Sequence, residues 1–259
     1  MKISSSISLI AILAVILFSC KKNDKPNTEP PKVEKTPALR FTFKPKFNGQ
    51  DIEFNKMQYI NAEGDTLNFT RSQMILSNFE LIKTNGDIVK VDTFAYLSLG
   101  EKRNNVDIDM DFPTGEYKGI RFMIGLDSSI NHGDPNHWRK NHPLNPIVNN
   151  MHWGWQGGYI FWVCEGYHMN NGNSNEIFSF HMATIQYLKN IELITNNTFS
   201  FDNKTKVQRD IIVNLDKYFS TPQPYSLKKN GAISHSSSPA ENLRMDVLHN
   251  NLSNTFELK

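Results

Sequence analysis

Residues 117–126 read Tyr117-Lys118-Gly119-Ile120-Arg121-Phe122-Met123-Ile124-Gly125-Leu126, and within them Ile120, Phe122, Ile124 and Leu126 recur at every second position. A period of two puts these side chains on one face of an extended strand, whereas a helix would spread them around its axis. Pro113-Thr114-Gly115, just before, supplies the turn that leads into the run. The stretch predicts a core strand.

The same period recurs on both sides of it. Leu39, Phe41 and Phe43 share a face, and Ala62-Glu63-Gly64-Asp65 separates Gln58-Tyr59-Ile60 from Leu67-Asn68-Phe69. Asn85-Gly86 separates Phe79-Glu80-Leu81-Ile82 from Ile88-Val89-Lys90-Val91, and this pair tolerates the positive φ of a tight hairpin. Alternation resumes over residues 158–165 and 176–183, with further strands expected over 191–201 and 209–215. Helix-period stretches are scarce, so the pattern predicts an all-β domain, a sandwich or barrel of short strands. Between Asp127 and Met151 the alternation breaks at Pro135, Pro143 and Pro146 amid many Asn and His residues. That segment reads as a long loop, and long loops inside compact domains usually carry function.

The beginning of the chain carries an address. Lys2 precedes an apolar run from Ile7 to Phe18, and Leu17-Phe18-Ser19-Cys20 places a small residue before a cysteine. The run falls short of the ~20 residues needed to span a bilayer, so a lipoprotein signal over residues 1–19 with lipidation at Cys20 is expected. Residues 21–37 have almost nothing apolar to bury and several prolines, and read as a tether. The expected organisation is signal peptide 1–19, lipidated Cys20 and tether to residue 38, and one domain over 39–259. Lys21 directly after the cysteine is compatible with the outer membrane of a Gram-negative envelope.

Net charge is +2, and the tether holds five lysines against three acids, so the folded part is near neutral. This balance argues against a nucleic-acid partner. Two cysteines occur; with Cys20 lipidated, Cys164 has no intramolecular partner, and reads as a small apolar core residue or a soft metal ligand.

Four of the eight histidines, His132, His137, His142 and His152, fall in or at the end of the long loop, and His181 lies in the strand Phe178-Ser179-Phe180-His181-Met182. With Phe178, Phe180 and Met182 on one face, His181 projects to the other beside Ser179 and Ala183. Any one such histidine is most simply a hydrogen-bonded structural residue; the clustering points towards metal. The spacings exclude the helical His-Glu-x-x-His device, and no Cys-x-x-Cys pair is present. Imidazoles with sulfur nearby suit copper or zinc better than magnesium or calcium. Cys164, His168 and Met169 follow the order of blue-copper ligands, but adjacent His168 and Met169 leave no chain to turn between two ligands of one ion.

Three of the four tryptophans lie in Met151-His152-Trp153-Gly154-Trp155-Gln156-Gly157-Gly158-Tyr159-Ile160-Phe161-Trp162. The segment can be aromatic core with a glycine bulge, a stacking platform, or an oxidisable tryptophan beside histidines.

Taken in order, Ile124-Gly125-Leu126-Asp127, Asn131-His132, Pro143-Leu144, the Met151 to Tyr159 segment and Phe180-His181 resemble the MbnP-like family of copper-associated proteins over roughly residues 39–259. The resemblance implies an extracytoplasmic β-sandwich that binds copper, in some members through histidines and a tryptophan oxidised to kynurenine by a MauG-like di-haem peroxidase. It implies metal ligands His132 and His181 and a modifiable ring at Trp153 or Trp155. His152 is an added candidate where an aromatic or aliphatic residue is expected. In methanobactin-associated members the strand histidine leads into Gly-Ser-Thr-x-Cys, whereas Met182-Ala183-Thr184-Ile185-Gln186 stands here and removes the expected disulfide.

The expectation is therefore a lipid-anchored, single-domain antiparallel β-sandwich that binds copper and is a substrate and binder rather than an enzyme. The competing expectation is a metal-free binding module presenting Trp153, Trp155 and Tyr159 to a glycan or protein. A hydrolytic metalloenzyme would need a general base, for which Glu165 is the acid nearest the aromatic segment.

Overall fold

The computed structural model describes residues 39–108, 113–154, 157–169, 175–202, 204–236 and 238–259. The expectations for the signal, Cys20 and the tether, and for Trp155, lie outside the described residues. Among the described residues the strands are β1 (Leu39–Phe47), β2 (Gln50–Asp51), β3 (Tyr59–Ile60), β4 (Thr66–Lys83), β5 (Ile88–Val91), β6 (Ala95–Ser98), β7 (Asn105–Ile108), β8 (Gly115–Ile124), β9 (Ile160–Met169), β10 (Asn175–Ala183), β11 (Lys189–Phe201), β12 (Val207–Asn214), β13 (Ile233–Ser234) and β14 (Phe256–Leu258).

Two sheets result. One runs β14-β12-β1-β2 with β7 also on β1; the other runs β11-β8-β4-β9-β10-β13 with β3, β5 and β6 also on β4. The strand β4 is the spine of the larger sheet. Its first half pairs with β9 from Leu67↔His168 to Met74↔Trp162, and its second half pairs with β8 from Leu76↔Ile124 to Lys83↔Tyr117. Both expected hairpins, β3–β4 and β4–β5, use this one strand. In the second, Gly86 takes φ +95° in the turn, which glycine adopts without steric cost.

Aromatic rings fill the space between the sheets. Phe122 of β8 meets Phe43 of β1 at 5.8 Å and Phe256 of β14 at 5.6 Å, both edge to face. Trp162 of β9 meets Phe256 at 6.0 Å, and Phe69 of β4 meets Phe47 of β1 at 5.9 Å. The alternating residues Leu39, Phe41 and Phe43, together with Ile120, Phe122, Ile124 and Leu126, are all buried. Each such side chain contributes roughly 1.5–3 kcal/mol by leaving water, and edge-to-face geometry adds a preference for this arrangement.

The sandwich is not purely antiparallel. The pairs β1–β12 and β10–β13 are parallel. Both join strands remote in sequence, where no hairpin dictates the antiparallel sense; local alternation and turn signals report only hairpin pairs. A helix over Pro239–Thr255 is a further element that the alternation did not announce. Ser238 caps it by accepting the Glu241 N–H, with Pro239 at its first turn, and it buries Met245, Leu248, Asn251, Leu252 and Thr255.

The expected loop after β8 holds three single turns of helix, Ser128–Asn131, Pro135–His137 and Pro146–Asn149. It is held by its own asparagines. Asn131 Oδ1 accepts from Tyr159 N at 2.8 Å, Asn145 Nδ2 donates to Trp138 O at 2.7 Å, and Asn149 bridges Pro143 O and Met151 N at 2.7 and 2.8 Å. These amides supply hydrogen bonds that an irregular buried backbone otherwise lacks. Leu144, Met151 and Tyr159 tie the loop into the core.

Candidate functional site

Strand alternation sends Cys164, Phe180 and Met182 into the core, and all three are fully buried. The residues between them, Glu165, Ser179 and His181, therefore stand on the other face of the larger sheet. Across β9 and β10 the register sets Ser179 opposite Glu165 and His181 opposite Val163. On the far side of β10, the parallel strand β13 sets Ser179 beside Ile233 and Phe180 beside Ser234. One residue further along both strands, His235 arrives next to His181.

The two imidazoles stack, with centroids 4.7 Å apart and planes at 28°. Ser179 Oγ lies 3.3 Å from Nε2 of His181 and 3.4 Å from Nε2 of His235, so both ring nitrogens are directed at one hydroxyl. Nε2 of His181 also lies 2.5 Å from Glu165 Oε1. Arg71 reaches the same carboxylate oxygen at 3.4 Å and donates through Nε to Gln73 Oε1 at 2.6 Å. The hydrogen bond with His181 and the charge of Arg71 hold the Glu165 carboxyl below the usual carboxylate range against the opposing effect of burial. Burial lowers the His235 pKa and the neighbouring His181 lowers it further, against the opposing charges of Glu241 and Glu165.

The segment carrying His235 is pinned on all sides. Its own N–H donates to Glu241 Oε2 at 3.3 Å, Ser234 Oγ donates to Glu241 O at 3.0 Å, and Ser236 Oγ donates to His181 O at 2.9 Å. Arg244 on the C-terminal helix donates to Ile233 O at 3.1 Å.

Trp153 closes this cluster from the loop side. Its ring lies 6.0 Å from that of His181 and 6.5 Å from that of His235, and the residue is 41 % exposed. A tight turn presents it: Trp153 N–H donates to Gly158 O at 2.9 Å, and Gly158 N–H to Gly154 O at 3.2 Å. At the base of the turn, buried Tyr159 donates its hydroxyl to Leu144 O at 2.7 Å, and burial pushes its pKa up to about 12.

Among the residues expected from the sequence, the fold thus brings Trp153 and His181 together. It places His132 and His152 otherwise. Nδ1 of His132 lies 2.9 Å from Ser128 O at the end of its single helical turn; a carbonyl only accepts, so Nδ1 carries the proton. Nδ1 of His152 accepts from Gly154 N at 2.9 Å while its ring stands edge-on to Tyr159 at 4.5 Å. Burial lowers the His152 pKa, and its buried Nε2 has no hydrogen-bond partner among the described residues. His142 stacks on Trp138 at 4.2 Å, and His137 adjoins the same indole at 5.9 Å.

Cys164 is enclosed in the core with its thiol pKa pushed up, on the opposite face from His181. The Cys164, His168, Met169 order does not form a blue-copper arrangement either: His168 is buried between strands and its neighbour Met169 alternates to the other face. Tyr159 is fully buried, so it cannot form an exposed stacking surface with Trp153.

His235 is the residue that sequence reasoning missed. It sits alone in Ser234-His235-Ser236-Ser237-Ser238, with no periodic pattern and no second ligand type nearby. The parallel pairing of β13 with β10 is what brings it beside His181. Among the described residues, no three His, Cys, Asp or Glu side chains are arranged to hold a metal ion. The donors that do converge are two imidazoles beside an indole, with the Glu165 carboxylate hydrogen-bonded to one of them; a nitrogen-rich set of this kind suits a soft ion of low coordination number better than calcium or magnesium.

The MbnP family model matches residues 36–238, ending just before the C-terminal helix. MbnP from Methylosinus trichosporium shares the fold, with a TM-score of 0.51 at 14% identity, over 81% of this chain and 88% of that one. No curated protein matches the sequence.

Proposed function

The chain belongs to the MbnP family, and from that premise we propose that it is an extracytoplasmic, lipid-anchored copper-binding protein with its site at His181 and Trp153. The observation that carries this reading is the approach of the Trp153 ring to that of His181 at 6.0 Å, on a partly exposed face. A neutral imidazole is a good donor to soft copper, and a copper ion held there would supply a soft electrophilic centre of low coordination number. Ser179 and Glu165 orient the His181 ring, and the turn at Gly154–Gly158 orients Trp153.

Exposure of Trp153 leaves its indole open to an oxidant larger than peroxide itself. In the proposed modification a partner di-haem peroxidase of the MauG-like type opens the indole C2–C3 bond. Two molecules of peroxide are consumed, each delivering one oxygen atom and leaving as water, to give N-formylkynurenine, and hydrolysis by a further water then releases formate to leave the aryl amine of kynurenine. The protein is substrate and binder in this scheme, and its own residues perform no turnover. Cys20 would carry the lipid, and the lysine-rich segment after it would span the distance from an outer membrane.

Metal analysis and peptide mass spectrometry of protein purified from its native envelope test this reading. Bound copper together with a kynurenine mass on the Trp153 peptide is the expected result. Protein that carries no copper and takes none up, with unmodified tryptophans, overturns it.

A further inference from the structure

We infer that His235 is the second imidazole donor of this site, paired with His181, and that His132 takes no part in it. The inference rests on the copper reading above and specifies its ligands.

Three features carry it. First, Nε2 of His181 and Nε2 of His235 both approach the one Ser179 hydroxyl, at 3.3 and 3.4 Å, so the two donor nitrogens face a common point. Second, the placement of His235 is fixed by backbone pairing. β13 runs parallel beside β10, and Glu241, Ser236 and Arg244 hold the strand and the residue after it. Ligands held by hydrogen-bonded backbone on packed elements are pre-organised, whereas a ligand on a mobile tail must be ordered on binding. Third, the ring contacts of Trp153 reach both of these imidazoles and do not reach His132.

Electrostatics fit a monovalent soft cation. With the ion at Nε2 of His181, the ring proton that now points at Glu165 moves by solvent exchange to Nδ1, so the ligand stays a neutral imidazole, and the carboxylate, itself neighboured by Arg71, remains alongside the ion. Two imidazoles with the Glu165 carboxylate beside one of them leave the Trp153 edge as the side open to a further donor.

Competitive titration of Cu(I) against a chromogenic chelator tests the assignment, using full-length protein from its native envelope and its variants. The expected result is one Cu(I) bound by the unaltered protein, with His181→Ala and His235→Ala each weakening binding by about 100-fold or more. That exceeds what loss of a supporting outer-shell partner alone usually costs. His132→Ala is expected to bind as the unaltered protein does.

Because His235→Ala could loosen the C-terminal strand, imidazole 15N NMR of the unaltered protein provides a second measure. The Nε2 resonances of His181 and His235 should move together on addition of Cu(I). Full binding by His235→Ala with loss in His132→Ala, or a His235 resonance that stays put while His132 moves, overturns the assignment and leaves the copper reading standing. Unaltered protein that binds no Cu(I) overturns both.

Discussion

Nε2 of His181 and Oε1 of Glu165 lie 2.5 Å apart across neighbouring strands, and this hydrogen bond is the largest influence holding the Glu165 carboxyl below the usual carboxylate range. Removing the imidazole leaves burial as the chief remaining influence, with Arg71 alone opposing it. The His181→Ala variant should therefore show a raised Glu165 pKa, read from the pH dependence of its carboxyl-carbon NMR shift. An unchanged titration would mean that Arg71, and not His181, sets the charge of this face.

The inter-sheet core makes a separate prediction. Phe122 is 1% exposed and touches Phe43, Phe79 and Phe256, which belong to strands of both sheets. Truncating it to alanine removes the transfer term and leaves a cavity whose walls are held by three other rings. Phe122→Ala should cost about 3–5 kcal/mol by urea denaturation, and Phe122→Leu clearly less. A loss near that of an exposed site would show that the sheets are not packed through this ring.

What could be read from the sequence divides along local and remote interactions. Alternation at Leu39, Phe41 and Phe43 and the Asn85-Gly86 turn encode strands and a hairpin within a few residues, and both are present. The prolines of residues 135–146 likewise announce an irregular segment, and the tryptophan turn at its end does lie against His181. The C-terminal helix was harder to see because polar Asn251 and Thr255 occupy two of its buried positions and interrupt the apolar stripe of Met245, Leu248 and Leu252. Its one clear local signal is the Ser238-Pro239-Ala240-Glu241 cap. His235 carried no local signal at all. Its meaning comes from a parallel pairing between strands far apart in the chain, and no periodicity reports that.

Acid should destabilise the fold through its histidines. Burial, as the largest cause, lowers the pKa of His249 from its ordinary value near 6.5, with the Leu188 carbonyl and Asp246 only partly offsetting it. Nε2 of His249 donates to Leu188 O at 3.0 Å in the neutral ring. Below the unfolded pKa the unfolded chain binds a proton that the folded chain resists, so stability falls as pH drops through that value and down to the lower folded pKa. His142, His152 and His235 are shifted in the same sense. The urea midpoint should fall between about pH 7.5 and about pH 5.5, and His249→Gln should flatten part of that slope. A midpoint that is constant over this range counts against the lowered values.

The turn that presents Trp153 depends on one amide. Asn131 is fully buried, and its Oδ1 accepts from Tyr159 N at 2.8 Å, tying the first helical turn of the loop to the base of the tryptophan turn. The adjacent Gly158 has φ +65° and lies so near this amide that a Cβ would come within 2.6 Å of Asn131 Nδ2. In Asn131→Ala the Tyr159 N–H loses its acceptor while still enclosed, which costs about 1–3 kcal/mol locally. Tyr159 also keeps its hydroxyl bond to Leu144 O, so the strand after it should remain folded. The expected outcome is faster hydrogen exchange at Tyr159 and Gly158 and a more solvent-exposed Trp153 by fluorescence, with β9 exchange unchanged. Equal loss of protection along β9 would instead make Asn131 a support of the whole sheet, and unchanged exchange at Tyr159 would remove it as the anchor of the turn.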